Sequence, residues 1–192
     1  MTATVILVVV LAVLVTFLAY VVGIYNRLIF LKNQCDKSWF NVDVILKQRH
    51  DEIPKLIGVC EGSMKFEKET LERVIAARTA AFSASGAPVA ERARLEGELS
   101  SALGRLFAVS EQYPELKTTA MFAQLQTRVT ELENGLADRR EYYNDSVMNY
   151  NVAIESVPSN FVANFAGMRA RELFKAAEAD KQDVEVKFKY PQ

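Results

Sequence analysis

Residues 5–24 carry no charged side chain, and a stretch of that kind leaves a chain few ways to fold. Val5 to Val22 reads VILVVVLAVLVTFLAYVV, where 14 of 18 residues are Val, Ile, Leu or Phe and only Thr16 and Tyr20 bear a polar group. Extended to Ile24 it supplies about 20 residues, enough at ~1.5 Å each to cross the ~30 Å hydrocarbon core of a bilayer. Each apolar residue favours insertion by ~0.3–0.6 kcal/mol at the bilayer centre, and no charge opposes them. Valine's weak helix preference in water matters little there, because a spanning backbone must satisfy its own hydrogen bonds. A cleaved signal peptide would begin with basic residues and have a shorter apolar stretch ending in a small-x-small site. The run is long, no Lys or Arg precedes it and Tyr25-Asn26-Arg27-Leu28 follows, so it is expected to stay as an anchor.

The first charge is Arg27, so all 23 Lys and Arg and all 24 Asp and Glu come after the apolar segment. Arg27, Lys32 and Lys37 flank its C-terminal side, which by the positive-inside rule puts residues 26–192 in the cytoplasm and the N-terminus outside. A net charge of −1 gives no basic field for nucleic acid, and none is expected as a partner. Cys35 and Cys60 lie 25 residues apart on one expected helix, ~37 Å along its axis. A disulfide needs Cα atoms within about 7 Å, so both are expected as free thiols.

Beyond the anchor, apolar residues recur at Leu28, Leu31, Cys35, Trp39, Val42 and Leu46, then at Ile53, Leu56 and Cys60. Steps of three and four make one helical stripe, so the anchor is expected to continue as one helix to about Gly62. Pro54 lacks an N–H and crowds the carbonyl of His50, which predicts a kink there, with a turn as the alternative. A second helix is expected over Phe66–Phe82, a loop over Ser83–Pro88 and a third helix over Val89–Tyr113. Tyr113-Pro114 marks a boundary, since a residue before proline resists the helical region. Phe122, Leu125, Val129, Leu132 and Leu136, continued by Tyr143, Val147, Tyr150, Ile154 and Val157, predict one long helix over Glu115–Val157. At ~64 Å it needs a partner, and the first helix beyond the membrane is the natural one.

Pro158 ends that helix, and Phe161–Ala177 reads as a shorter amphipathic one. Val184 to Tyr190 alternates apolar and charged residues as an exposed or edge strand would. The expected fold is all-α: a transmembrane anchor (1–25), a four-helix bundle domain (26–180) and an extended tail (181–192).

No constellation for catalysis, metal or cofactor is legible. His50 is the single histidine, with no second His or Cys pair near it, and reads as a solvated or hydrogen-bonded helix residue. Asp43, Lys47 and Asp51 are four residues apart and predict an i,i+4 ladder worth ~0.3–0.5 kcal/mol per exposed pair. A catalytic reading of those carboxylates would need a nucleophile or metal beside them. Tyr143-Asn144 and Tyr150-Asn151 repeat at seven residues on one face. They form either a ligand-binding stripe or, as favoured here, buried polar groups that fix helix register. Arg139 and Arg140 beside Asp138 and Glu141 read as a solvated face.

Several of these segments together resemble the LemA family of bacterial membrane proteins. They are the anchor with Tyr25-Asn26-Arg27-Leu28, the run Trp39–Leu56 through Asp43, Lys47, Arg49, Asp51 and Pro54, Ala76-Ala77-Arg78, Glu111–Lys117, the Tyr-Asn steps and Phe174–Glu178. His50 departs from the tyrosine usual there, and Gln182-Asp183-Val184 replaces a Pro-Lys-Val segment. The resemblance implies a membrane helix and an elongated antiparallel bundle, and no established enzymatic activity. Some relatives are associated with the formation of intracellular membrane organelles. The expected role is therefore a non-enzymatic, self-associating scaffold or organiser at the bacterial inner membrane, with the lipid bilayer, further copies and a membrane protein as the expected partners. The alternative is a membrane-anchored sensor or adaptor that binds a ligand near Tyr143, Asn144, Tyr150 and Asn151.

Overall fold

Helix α1 (Thr2–Ser63) carries the apolar segment and the first core stripe without interruption. It belongs to a computed structural model that describes residues 1–63 and 67–175. Residues 2–20 are exposed along their whole length, and one 18-residue window of the helix is long and apolar enough to cross a membrane. From Leu28 onward the buried apolar positions are Leu28, Cys35, Val42, Ile45 and Leu46, then Ile53, Leu56, Ile57 and Cys60. They follow the stripe expected from spacing, of which Leu31 and Trp39 are half-buried.

The described residues also contain α2 (Lys68–Ser83), α3 (Val89–Ser110), α4 (Pro114–Lys117), α5 (Ala120–Glu155) and α6 (Ser159–Phe165), and no strand. The Ser83–Pro88 loop falls between α2 and α3 as its composition predicts. Helix α3 stops at Ser110 rather than at the expected Tyr113, and two larger differences follow. The helix expected over Glu115–Val157 is divided: α4 stops at Lys117 and α5 starts at Ala120. The Thr118 and Thr119 hydroxyls both donate to the Glu115 carbonyl, at 3.0 and 3.2 Å, and such local bonds compete with helix propagation.

The helix expected over Phe161–Ala177 ends at Phe165. Gly167 takes φ +65°, its N–H donates to Asn164 O, and Met168 N–H donates to Ala163 O. This paired arrangement stops a helix and suits glycine, which has no Cβ to strain at positive φ. Residues 168–175 then run outside any helix. The alternating tail Val184–Tyr190 lies outside the described residues.

Contacts group the chain into two units that share α1 and α5. The first comprises residues 1–48 and 134–173. Within it α1 and α5 run antiparallel, for Cys35 Sγ donates to Ser146 O, the tilted rings of Trp39 and Tyr143 meet with centroids 5.0 Å apart, and Ile45 faces Gly135. A Cβ on Gly135 would lie 2.8 Å from Ile45 Cδ1, so the glycine gives that side chain its room. The second comprises, among the described residues, those of 49–133 together with Phe174 and Lys175. Ile53, Leu56, Ile57 and Cys60 of α1, Leu71 and Val74 of α2, Leu99, Leu103 and Leu106 of α3, Leu116 of α4, and Phe122 and Val129 of α5 share one core there. Cys35 and Cys60 are buried free thiols, and burial pushes the Cys60 thiol up to about 11.

Pro54 lies inside α1, so the alternative of a turn at that position is not what forms. The carbonyl it leaves without a partner is that of His50, and Arg78 Nε of α2 donates to it at 2.9 Å. Arg78 also lies over the Phe82 ring, 6.0 Å from its centroid. A helix interior that contains proline is thus completed from a neighbouring helix.

Candidate functional site

The paired Tyr-Asn steps sit on α5 in the first unit. Tyr143 and Tyr150 are buried, while Asn144 and Asn151 are half-buried. For Tyr143 and Asn151 the hydrogen-bond partners are main-chain groups of the segment after α6. Tyr143 Oη donates to the Glu172 carbonyl at 3.0 Å. Asn151 closes a reciprocal pair with Arg171, donating from Nδ2 to its carbonyl and accepting from its N–H, both at 2.9 Å. One amide side chain thereby does for residue 171 what a neighbouring strand would do.

The Arg171 side chain completes the attachment. Its guanidinium lies over the Tyr150 ring at 5.8 Å and donates to Asp36 Oδ1 of α1 at 2.6 Å. Burial alone would lower the Arg171 pKa, but the hydrogen bond and charge of Asp36 outweigh it and hold it above its usual value. Burial raises the Tyr143 and Tyr150 hydroxyls above the ordinary phenol range, so both stay neutral. We expect Asn151→Leu to cost about 1–3 kcal/mol, the sum of two ordinary hydrogen bonds, as a lowered midpoint of thermal unfolding followed by circular dichroism. An unchanged midpoint would show that the Arg171 backbone needs no such partner.

A second polar cluster, in the other unit, is one that reading the sequence missed. Arg49 is fully buried, and its guanidinium pairs with Glu96 of α3 and with Glu133 of α5, the latter at 2.5 Å. Ser100 links the two sides, accepting from Arg49 Nη1 at 2.8 Å and donating to Glu133 Oε2 at 2.8 Å. His50 Nε2 donates to Glu96 Oε1 at 3.0 Å, and its ring meets the edge of Phe82 at 5.8 Å. Of the two environments open to His50, the structure selects the buried, hydrogen-bonded one. Burial by itself would raise the Glu96 pKa. The His50 hydrogen bond and the Arg49 charge overcome that and hold the carboxyl below its ordinary range.

The i,i+4 ladder expected through Asp43, Lys47 and Asp51 is not formed. Lys47 and Asp51 are exposed and enter no ion pair among the described residues, and Asp43 is half-buried. An exposed pair gains too little to hold two side chains in one geometry. No group of three or more His, Cys, Asp or Glu that could hold a metal occurs among the described residues. Each polar cluster bonds to main chain or among its own charged groups, which is the work of fastening helices and segments together.

Residues 38–188 match the model of the LemA family. Magnetosome protein MamQ 2 of Paramagnetospirillum magneticum is 37% identical over 84 residues, 44% of this chain and 31% of that protein. Magnetosome protein MamQ of Magnetospirillum gryphiswaldense is 35% identical over 79 residues, 41% of this chain and 29% of that protein. The match therefore spans less than a third of the length of these magnetosome relatives. Protein LemA of Metamycoplasma hominis is similar over more of the chain, at 25% identity across 164 residues, 85% of this chain and 74% of its own.

Proposed function

The chain belongs to the LemA family, and from that premise we propose that it is a non-enzymatic, membrane-anchored scaffold that self-associates at the bacterial inner membrane. The observation that carries this reading is α1 itself, one helix with an exposed, charge-free apolar segment and then the first core stripe of a helical domain. An elongated antiparallel four-helix bundle is the framework proposed for that domain. The core that α1, α2, α3 and α5 share in the second unit supports it.

The magnetosome relatives point to the same kind of work, since their names place them with a membrane organelle. The resemblance reaches this chain through less than half of its residues, so the organelle itself is not carried over. The proposed orientation puts the domain in the cytoplasm, supported by Arg27, Lys32 and Lys37 just after the apolar segment. The sensor reading has less support, because the Tyr143 hydroxyl and both ends of the Asn151 amide already bond to the main chain of residues 171 and 172.

Amine-reactive cross-linking of intact cells at native abundance, with the joined peptides identified, tests role and orientation together, because every lysine lies beyond the apolar segment and only the α-amino group precedes it. A membrane-permeant reagent should join lysines of neighbouring copies, and an impermeant one should reach no lysine. Monomer alone with the permeant reagent would remove self-association, and lysine cross-links with the impermeant reagent would reverse the orientation.

A further inference from the structure

Thirteen consecutive residues, Ser156 to Met168, carry no charged side chain. They cover the turn after α5, all of α6 and the glycine stop that follows it. In a soluble domain such a stretch would be expected to turn its large apolar groups inward. Here Val157 is 75% exposed, Phe161 68% and Phe165 96%, and Met148 and Val152 on the last turns of α5 are exposed as well. Scattered single apolar residues mean little on a surface, but a contiguous set marks a contact face.

The position of this face says what covers it. A groove in the first unit is lined by Tyr20, Ile24 and Arg27 of α1 on one side and by Val157, Pro158 and Ser159 on the other. The turn before α6 therefore lies beside the point where the apolar segment of α1 gives way to its first charge. Tyr20 and Tyr25, with Arg27 following, are the residue types that mark a lipid–water boundary. Helix α6 has seven residues, ~10 Å of axis, so Phe161 and Phe165 stay near that depth, one turn apart on one face.

We infer that α6 and the turn before it are an interfacial foot, with Val157, Phe161 and Phe165 buried at the headgroup–acyl boundary of the bilayer that α1 crosses. The occupant is lipid rather than a second copy, because the face continues the lipid-facing surface of α1 and has no charge of its own to select a protein partner. Interfacial helices of this kind sink an apolar face ~5–10 Å below the headgroups. A foot beside a single span gives the domain a second point of attachment, which one helix alone lacks. The inference rests on the anchor assigned above, and the test separates the two.

Full-length protein carrying an environment-sensitive thiol probe at Phe161→Cys, Phe165→Cys, Leu14→Cys or Val44→Cys is reconstituted in phosphatidylcholine–phosphatidylglycerol vesicles. The native Cys35 and Cys60 are fully buried and should stay unlabelled, which the parent protein checks. Some of the lipid carries a nitroxide either near the headgroup or at the chain end. The probes at positions 161 and 165 should be quenched about twofold or more beyond that at position 44, and more by the shallow nitroxide than by the deep one. The probe at position 14 should show the opposite depth preference. Quenching at 161 and 165 no greater than at 44, with position 14 still quenched, overturns the foot and leaves the anchor standing. A blue-shifted but unquenched probe at 161 or 165 means a protein contact and overturns it too. An unquenched probe at 14 removes the anchor and the foot together.

Discussion

Replacing Arg49 with methionine should lower the unfolding free energy by about 3–5 kcal/mol, the usual cost of leaving a buried charge without its partner. Glu96 is the group left behind: it is buried on α3 and takes its compensation from Arg49 and His50. Glu133 is about a quarter exposed and can turn to water, so its loss of Arg49 costs less. Adding Glu96→Gln to the variant should recover more than half of the loss. It removes the stranded charge while keeping an acceptor for His50 Nε2.

The pH dependence has a definite sign. Because Glu96 is held below its ordinary range, its contribution is complete above that range and is lost as the pH falls through its lowered folded value. Without Arg49 two of the influences that hold the carboxyl down are gone, and it takes up its proton at a higher pH than in the parent. The deficit of Arg49→Met relative to the parent should therefore be largest near neutrality and shrink in acid. Urea unfolding followed by helical circular dichroism at several pH values measures both quantities. A variant within about 1 kcal/mol of the parent at neutral pH would show that the guanidinium does not hold this charge, against the usual cost of a broken buried pair.

The second large effect concerns the proline inside α1. Arg78→Met should cost about 1.5–3 kcal/mol, since it withdraws a charged donor from the His50 carbonyl. In a Pro54→Ala background the same substitution should cost less than about 1 kcal/mol, because the introduced alanine restores the N–H that proline lacks. Loss of the Arg78 contact with Phe82 is common to both backgrounds, so the difference isolates the carbonyl bond. Pro54→Ala alone should stabilise, by no more than the ~3 kcal/mol that separates alanine from proline in a helix interior. Equal costs of Arg78→Met in the two backgrounds would mean that the carbonyl was never short of a donor.

Periodicity made the apolar segment, the α1 stripe and the α2–α3 loop readable, because each depends on residues close in sequence. Arg49 and Glu96 were hidden by their type. Arg49 lies seven residues after Val42 and seven before Leu56, in phase with buried positions, and Glu96 lies three before Leu99 on the buried face of α3. A charge in core phase on each of two helices was the available signal, and a stripe drawn through apolar residues alone steps over it. The short α6 was missed because Gly167 interrupts a run whose amphipathic spacing still looks continuous. The partners of Tyr143 and Asn151 were out of reach for another reason: they are main-chain groups of residues 171 and 172, which no side-chain pattern encodes.

Because α1 passes from Ile24 to Leu28 without leaving the helix, the two stretches share one angular phase. Each residue turns the helix by ~100°, so a given side of the apolar segment fixes the direction in which the buried stripe of the first unit faces. A flexible linker would erase this relation and let that unit swivel. Copies that met through their apolar segments, as the proposed self-association requires, would present their first units at a set azimuth, a property written into the spacing between the last exposed apolar residue and the first buried one.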